Sequence, residues 1–139
     1  MILPQFYTDD IIKRAILEDI NYVDVASDYL ISEEQRNEAY FVSKADGVLC
    51  GIDVAMRVFE LLDDSFTAKV YMHDGDKVKK GDLIAEFCGK TTLLLKGERT
   101  ALNLLQHMSG IATATAKAVK LCEGTKASIA DTRKTLPSL

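Results

Sequence analysis

The chain has 139 residues, of which 47% are hydrophobic and 27% are charged, and its formal net charge is -4. This length accommodates one domain, or one domain with part of another, and the composition is that of an ordinary globular protein. The acidic balance argues against a nucleic-acid-binding protein, which would usually carry a basic surface. No apolar run approaches the roughly 18 residues that a membrane span requires, and no secretory leader precedes the three widely spaced cysteines. We therefore expect a soluble, cytoplasmic protein.

The first two thirds of the chain alternate between helical and strand patterns. Thr8 and the two aspartates after it offer a helix N-cap, and apolar residues then repeat with helical spacing to about Asp19. A second helical pattern covers residues 51–62. Strand patterns cover residues 37–44, 66–72, 83–87 and 91–96, with a very short strand between the turns at 74–75 and 80–82. This order predicts an α+β fold, an amino-terminal α/β sandwich in which helices cover one face of an antiparallel sheet.

The last part of the chain is a long helical stripe, with apolar residues at helical spacing from Leu104 to Cys122. Ser109 and Gly110 interrupt this stripe. The interruption predicts two connecting helices, or one helix that is kinked there, with the serine capping the second segment. Gly124 then supplies the left-handed residue that commonly follows a helix end.

Cationic residues stand at both ends of this stretch. Arg99 lies near the start of the helical run, and Arg133 and Lys134 follow a short apolar strand at residues 127–130. An arginine fork matches a carboxylate or phosphate, and a lysine ammonium is a compact charge that can lie close to a reacting centre. A pair directly after a strand occupies the kind of position used at the C-terminal face of an α/β barrel. Taken alone, such residues are more often ordinary surface charge.

Three ordered motifs resemble those of the quinolinate phosphoribosyltransferases, also called carboxylating nicotinate-nucleotide pyrophosphorylases. They are Gly97-Glu98-Arg99-Thr100-Ala101-Leu102-Asn103, Ser109-Gly110-Ile111-Ala112-Thr113 and Asp131-Thr132-Arg133-Lys134-Thr135-Leu136-Pro137. The similarity extends upstream over nearly the whole chain. It departs at Val23-Asp24-Val25-Ala26, where the family usually has glycine and threonine around the aspartate, and at Ser138, which replaces a usual glycine.

The resemblance implies transfer of phosphoribose from phosphoribosyl pyrophosphate to the nitrogen of quinolinate, with loss of carbon dioxide. The products would be nicotinate mononucleotide and pyrophosphate, a step of NAD biosynthesis. Carried over to this chain, Arg133 and Lys134 would hold the substrate carboxylates, with Thr132 beside them. Lys134 would also be the catalytic residue that stabilises negative charge on the ring during decarboxylation. Arg99 would reach the site of a neighbouring subunit in a head-to-tail homodimer or a higher homo-oligomer. Mg²⁺ would bind with phosphoribosyl pyrophosphate, and its ligands are not expected in this chain.

A complete α/β barrel takes on the order of 200 residues or more, so this chain has room for only part of one. The resemblance assigns residues 1–97 to the amino-terminal sandwich domain. It assigns residues 98–139 to the connecting helices and the first strand of an incomplete barrel. The family's later lysine, its histidine-arginine pair and its magnesium-binding acidic residues have no counterpart here. We therefore expect a fragment that is inactive by itself.

Two alternatives remain. The run from Asp74 to Ile84 resembles the turn-strand-turn of biotinyl and lipoyl domains, which display a modified lysine at a hairpin tip. Lys44 is the only candidate, and its flanking residues do not match, so we interpret the run as structural. The intact mass of the protein would reveal the covalent adduct that such a carrier requires. The second alternative is a relative of the same fold that is linked to molybdenum transport.

Overall fold

The computed structural model describes residues 4–20 and 29–135, so the departures at 23–26 and at Ser138 lie outside the described residues. The helices are α1 (Gln5–Asp19), α2 (Ile52–Leu62) and α3 (Thr91–Cys122). The strands are β1 (Arg36–Val42), β2 (Gly47–Val48), β3 (Thr67–Val70), β4 (Lys77–Val78) and β5 (Leu83–Lys90). They form two antiparallel sheets, one in the order β1-β5-β3 and one that pairs β2 with β4. Among the helices of these two ranges, none has both the length and the apolar character needed to cross a membrane.

A cluster of phenylalanine rings joins α2 to the three-stranded sheet. Phe59 of α2 stacks on Phe87 of β5 with ring centroids 5.0 Å apart, and Phe41 of β1 meets Phe87 edge-on at 4.9 Å. Such pairs contribute about 0.5–1.5 kcal/mol beyond the burial of their area. The opposite face of the sheet is solvated, because Tyr40 and Glu86, which are paired across β1 and β5, are both exposed. The predicted α+β fold, with helices on one face of an antiparallel sheet, is confirmed.

Helix α1 begins earlier than the sequence predicts. Its first residue is Gln5, directly after Pro4. A proline is favourable before the first turn, because its missing N–H would have no partner within the helix. Thr8 lies inside the helix and does not cap it, since its hydroxyl contacts the Pro4 carbonyl at 3.5 Å. Ile12 and Ile16 are buried and hold the helix against the core.

An ion pair joins α1 to α2. The Arg57 guanidinium donates to both carboxylate oxygens of Asp9 at 2.8 Å each, and to Glu60 at 3.0 Å. The hydrogen bond from Arg57 lowers the pKa of Asp9, against partial burial, which would raise it. A guanidinium that engages both oxygens restricts the carboxylate in orientation as well as distance.

Residues 91–96, predicted as a strand, are the first turns of α3. The buried residues Leu94, Gly97 and Ala101 have helical spacing, and most of this stripe lies beyond the predicted strand. Gly97 permits close packing on α2, because a Cβ there would lie 2.9 Å from the ring of Phe59. The strand prediction is therefore wrong, and the apolar run belongs to a helix that packs on α2.

Helix α3 continues through Ser109 and Gly110, so the prediction of two separate helices is wrong, and the alternative of one kinked helix stays a prediction. The helix ends at Cys122, and Gly124 adopts a left-handed φ of 78°, as predicted. The predicted domain boundary at residues 97 and 98 falls within this helix, and it stays a prediction.

The segment after α3 lies on the surface. Residues 127–130, predicted as the first strand of a barrel, form no strand, and every residue from 123 to 135 is exposed. A strand requires a neighbouring strand to pair its backbone, and no described strand pairs with this segment. The predicted barrel strand is therefore not formed in the described residues.

A buried carboxylate fixes the junction between β5 and α3. Asp63 is 5% exposed and directly follows α2. Its oxygens accept hydrogen bonds from the Ser65 N–H at 2.9 Å, from the Ser65 hydroxyl at 2.6 Å and from the Lys90 N–H at 2.8 Å. Burial alone would raise the pKa of Asp63, but the hydrogen bonds from Ser65 and Lys90 outweigh it and lower the pKa.

We predict that Asp63→Asn lowers the free energy of unfolding by about 1–3 kcal/mol. The NH₂ group of the asparagine would face a donor that now bonds to a carboxylate oxygen of Asp63. The folded state favours the carboxylate, so its stabilising contribution is complete above about pH 4 and is lost as the pH falls below that value. Denaturant unfolding from about pH 3 to pH 7 measures this difference. Asp64→Asn, which changes an exposed neighbouring carboxylate, is the control. A stability difference for Asp63→Asn that does not vary with pH would contradict the assignment.

Candidate substrate site

Arg99 projects from the third turn of α3 into solvent. Its side chain is 73% exposed, and its Nη1 atom donates to Oδ1 of Asp19 at 2.9 Å. Asp19 is the last residue of α1, and its side chain is 23% exposed. Thr100 and Ala101 are buried, so the backbone at Arg99 is held against the core while most of its guanidinium faces water.

The other predicted site residues, Thr132, Arg133 and Lys134, lie in the exposed segment beyond α3. Their hydrogen bonds are local: the Lys134 N–H donates to the Thr132 hydroxyl at 3.3 Å, and the Thr135 N–H donates to the Arg133 carbonyl at 3.0 Å. Because all residues from 123 to 135 are exposed, this segment does not enclose a ligand by itself.

The two groups of cations are separated along the chain by a long stretch of helix. Arg99 precedes the end of α3 at Cys122 by 122 − 99 = 23 residues. At the rise of an α-helix this corresponds to about 35 Å of helix. Arg133 and Lys134 follow that end in the sequence. Within the described part of the chain, the four predicted site residues are all exposed, and no hydrogen bond or ion pair joins Arg99 to the other three.

Two hydroxyls on α3 dock the helix onto β2 and the residues that follow it, a role that the sequence did not reveal. Ser109 Oγ accepts from the Cys50 N–H at 3.0 Å and donates to the Cys50 carbonyl at 3.1 Å. One turn later, Thr113 Oγ1 accepts from the Val48 N–H at 2.9 Å. Gly47 permits this approach, because a Cβ there would lie 2.7 Å from the Thr113 hydroxyl. Ser109 is thus a docking residue and caps no second helix.

The signal for this docking was present in the sequence as two hydroxyl residues four positions apart. Residues at this spacing share one face of a helix. What the sequence could not show was that β2 would offer unpaired backbone groups to that face.

We predict that Thr113→Val lowers the free energy of unfolding by about 1 kcal/mol, because the Val48 N–H loses its acceptor. Thr115→Val is the matched control, since Thr115 lies on the same helix and is exposed. Denaturant unfolding of both variants measures the effect. Equal stability of the two variants would show that the Thr113 hydroxyl does not hold the helix in place.

A cavity of about 600 Å³ lies between α3 and the connection from β1 to β2. Its lining is mainly apolar, with Phe41, Leu49 and Leu105 among its residues, and it includes Lys44, the only lysine considered as a carrier site. The residues that line it come from separate segments of the chain, so no local pattern predicts it.

No metal centre is built by the residues that the structure describes, since they contain no group of three or more His, Cys, Asp or Glu side chains suited to an ion. The expected Mg²⁺ therefore has no ligand set in this part of the chain, and its binding stays a prediction. Cys50, Cys88 and Cys122 are free and partly buried. Burial and the carboxylate of Asp74 raise the pKa of Cys50, which keeps its thiol protonated at neutral pH.

These features define the class of protein: it is a two-layer α+β domain that carries exposed cations on and beyond one long helix. A family model described as the N-terminal domain of quinolinate phosphoribosyl transferase matches residues 24–109. The chain belongs to this family.

The names of two relatives are consistent with the family match. The chain is 40% identical over 129 residues to a probable carboxylating nicotinate-nucleotide pyrophosphorylase from Bacillus subtilis, covering 93% of this chain and 44% of that protein. It is 36% identical to a mitochondrial decarboxylating quinolinate phosphoribosyltransferase, 2b, from Nicotiana tabacum, covering 98% of this chain and 38% of that protein. None of these names describes a biotin or lipoate carrier or molybdenum transport.

A solved structure extends the agreement to the fold. The crystal structure of NadC from Streptococcus pyogenes superposes with a TM-score of 0.93 at 37% sequence identity, covering 99% of this chain and 49% of that one. The chain therefore spans about half or less of the length of the relatives it matches.

Proposed function

We propose that this chain is the amino-terminal part of an enzyme that transfers phosphoribose from phosphoribosyl pyrophosphate to quinolinate. The reaction releases carbon dioxide and pyrophosphate and gives nicotinate mononucleotide for NAD biosynthesis. The observation that carries the proposal is the 40% identity over 129 residues to a relative named for this activity. The fold similarity to NadC supports it, because the matching segment covers nearly all of this chain.

The proposed chemistry joins two anionic substrates. Quinolinate carries two carboxylates, and phosphoribosyl pyrophosphate carries several phosphate charges, so their approach requires cations to offset mutual repulsion. The ring nitrogen attacks the anomeric carbon and pyrophosphate leaves. Loss of the carboxylate beside that nitrogen as carbon dioxide then leaves an electron pair on the ring carbon, which takes up a proton from water to give the product. A protein that stabilises this charge acts on the transition state and not merely on substrate binding.

We assign Arg133 and Lys134 to the substrate carboxylates, with Thr132 beside them, and Lys134 to the charge that develops on the ring. The planar guanidinium of an arginine suits a carboxylate with two parallel hydrogen bonds, and the lysine ammonium acts as a compact charge. Their exposure supports a role in a pocket that residues outside the described ones complete.

We assign Arg99 to the substrate site of a neighbouring subunit in a head-to-tail homo-oligomer. Its 73% exposure and the stretch of α3 between it and Arg133 support a role outside its own subunit's site. In a head-to-tail dimer, each subunit would receive one arginine from its partner.

Mg²⁺ would supply charge neutralisation at the pyrophosphate when bound. We assign its ligands to residues outside the described ones, which contain no group of three or more His, Cys, Asp or Glu side chains suited to an ion. The acidic net charge of -4 argues against nucleic acid as a partner, and it requires a site for small anionic substrates to be a local group of cations. A cytoplasmic location stays a prediction, and the tobacco relative is named as mitochondrial.

We predict that the purified 139-residue chain shows no turnover with both substrates, because Thr132, Arg133 and Lys134 lie in an exposed segment that does not enclose a ligand by itself. A chimera that joins this chain to the part of the Bacillus relative beyond the matched segment should be active. Isothermal titration of quinolinate into the chain and into the chimera provides a second measurement, with binding expected only by the chimera. Turnover or equal quinolinate binding by the chain alone would contradict the requirement for further residues. An inactive chimera that folds and binds neither substrate would contradict the proposed function.

We predict that Lys134→Met in this chimera reduces kcat by on the order of 100-fold, the usual effect of removing one group that stabilises transition-state charge. Lys126→Met is the control, because Lys126 is an exposed lysine of the same segment outside the three motifs. Steady-state kinetics with both substrates separate the effect on kcat from effects on KM. An unchanged kcat for Lys134→Met would remove Lys134 from the proposed site.

A further inference from the structure

The ion pair between Arg99 and Asp19 joins an exposed side chain to a better-anchored one. The Arg99 side chain is 73% exposed, whereas the Asp19 side chain is 23% exposed. An arginine side chain in solvent samples many rotamers, and it loses that freedom when it binds a ligand. A contact that selects a few of those rotamers before binding reduces this loss.

Asp19 is well placed to provide such a contact, because α1 is held along its length. Ile12 and Ile16 are buried in the core, and the Ile20 N–H closes the end of the helix on the Ile16 carbonyl at 2.8 Å. Near its start, α1 is tied to α2 by the two hydrogen bonds from Arg57 to Asp9. The backbone that carries Asp19 is therefore held against the core.

The stability of α1 does not explain an acidic residue at this place. Asp19 stands at the C-terminus of α1, where the helix dipole disfavours negative charge, and the last turn contains no basic residue. Arg99 provides the opposite charge from a different helix, 80 positions away in the sequence. The contact thus connects two elements and offsets a charge that α1 alone would disfavour.

The geometry of the pair leaves Arg99 available to a ligand. Only Nη1 of its guanidinium contacts Asp19, at 2.9 Å. A guanidinium has five N–H donors, so the Nε and Nη2 edge keeps the two parallel donors that match a carboxylate. Asp19 therefore holds one side of the group and leaves the opposite edge open.

We propose that Asp19 is a positioning residue that presents the guanidinium of Arg99 to a carboxylate of the substrate in the neighbouring subunit. This inference rests on the role of Arg99 in the proposed function. Asp19 itself contacts no substrate and takes no part in the chemical step. Its effect is on substrate affinity, because a guanidinium that is already oriented loses less freedom on binding.

Kinetics of the chimera described above test this role. Asp19→Ala is expected to raise the KM for quinolinate about five-fold with little change in kcat. Without Asp19, the entropy cost of ordering the Arg99 side chain falls on substrate binding. Asp19→Asn retains an oxygen that accepts from Nη1, and it should keep most of the wild-type KM. Glu18→Gln is the matched control, because Glu18 is the exposed carboxylate next to Asp19 on the same turn.

A measurement on the 139-residue chain tests the same inference without activity. The nuclear Overhauser effect of the Arg99 Nε–Hε group reports how ordered the side chain is. It should fall in Asp19→Ala and stay at the wild-type value in Glu18→Gln. An Arg99 side chain that is equally mobile in all three proteins would overturn the inference.

Arg99→Ala in the chimera separates the two proposals. If it leaves the KM for quinolinate unchanged, the proposed role of Arg99 fails, and the role of Asp19 fails with it. If Arg99→Ala raises the KM but Asp19→Ala does not, only the positioning role fails. A KM that falls in both Asp19→Ala and Asp19→Asn would show that the carboxylate competes with the substrate, which is also incompatible with positioning.

Discussion

The position of helix α3, which carries Arg99, depends on one buried carboxylate. Asp63 receives donors from the loop after α2 and from Lys90, the last residue before α3. It thereby fixes the point at which β5 turns into α3, and Gly89 leaves room for it, because a Cβ there would lie 3.0 Å from Oδ2. Arg99, Ser109 and the segment beyond α3 all take their positions from where that helix begins.

Helix α3 contacts the rest of the domain at successive points along its length, and the kind of contact changes from one point to the next. Near its start Gly97 allows the helix to approach the ring of Phe59, and Leu105 is its last buried residue. Beyond that point the hydroxyl of Thr113 bonds to the backbone of Val48 in β2, and the hydroxyl of Ser109 bonds to the backbone of Cys50 just after it. The helix therefore passes from apolar packing to polar docking, and its final turns have no buried residue.

The elements that were predicted correctly are those with a strong local signal. The predicted bounds of helix α2 and strand β1 lie within one or two residues of the observed ones. The helix has a regular apolar face after Gly51, and the strand is rich in Tyr, Phe and Val. Residues 91–96 were misassigned because three consecutive leucines fit a buried strand as well as a helix. The strand at 127–130 failed for a different reason, since a β-strand depends on a partner that local sequence does not supply.

The roles of individual residues, like the elements, could be predicted only where the local sequence carried a signal. The motif around Arg99 drew attention only through the family resemblance, because an exposed arginine on a helix is ordinary in isolation. Asp19 and Asp63 gave no local signal, and their importance arises from partners 80 and 27 positions away. A carboxylate acquires such a role only when tertiary structure brings donors to it, which a single sequence does not reveal.

The final turns of α3, beyond its last docked residue, form a short lever arm. Cys122 lies 122 − 113 = 9 residues from Thr113, or about 14 Å along the helix axis. A bend of about 10° at Thr113 would move the end of the helix by about 2 Å. The position of the segment that carries Arg133 and Lys134 therefore depends on how firmly Ser109 and Thr113 hold the helix. Side chains that never approach a ligand can in this way set the distance between the two groups of cations.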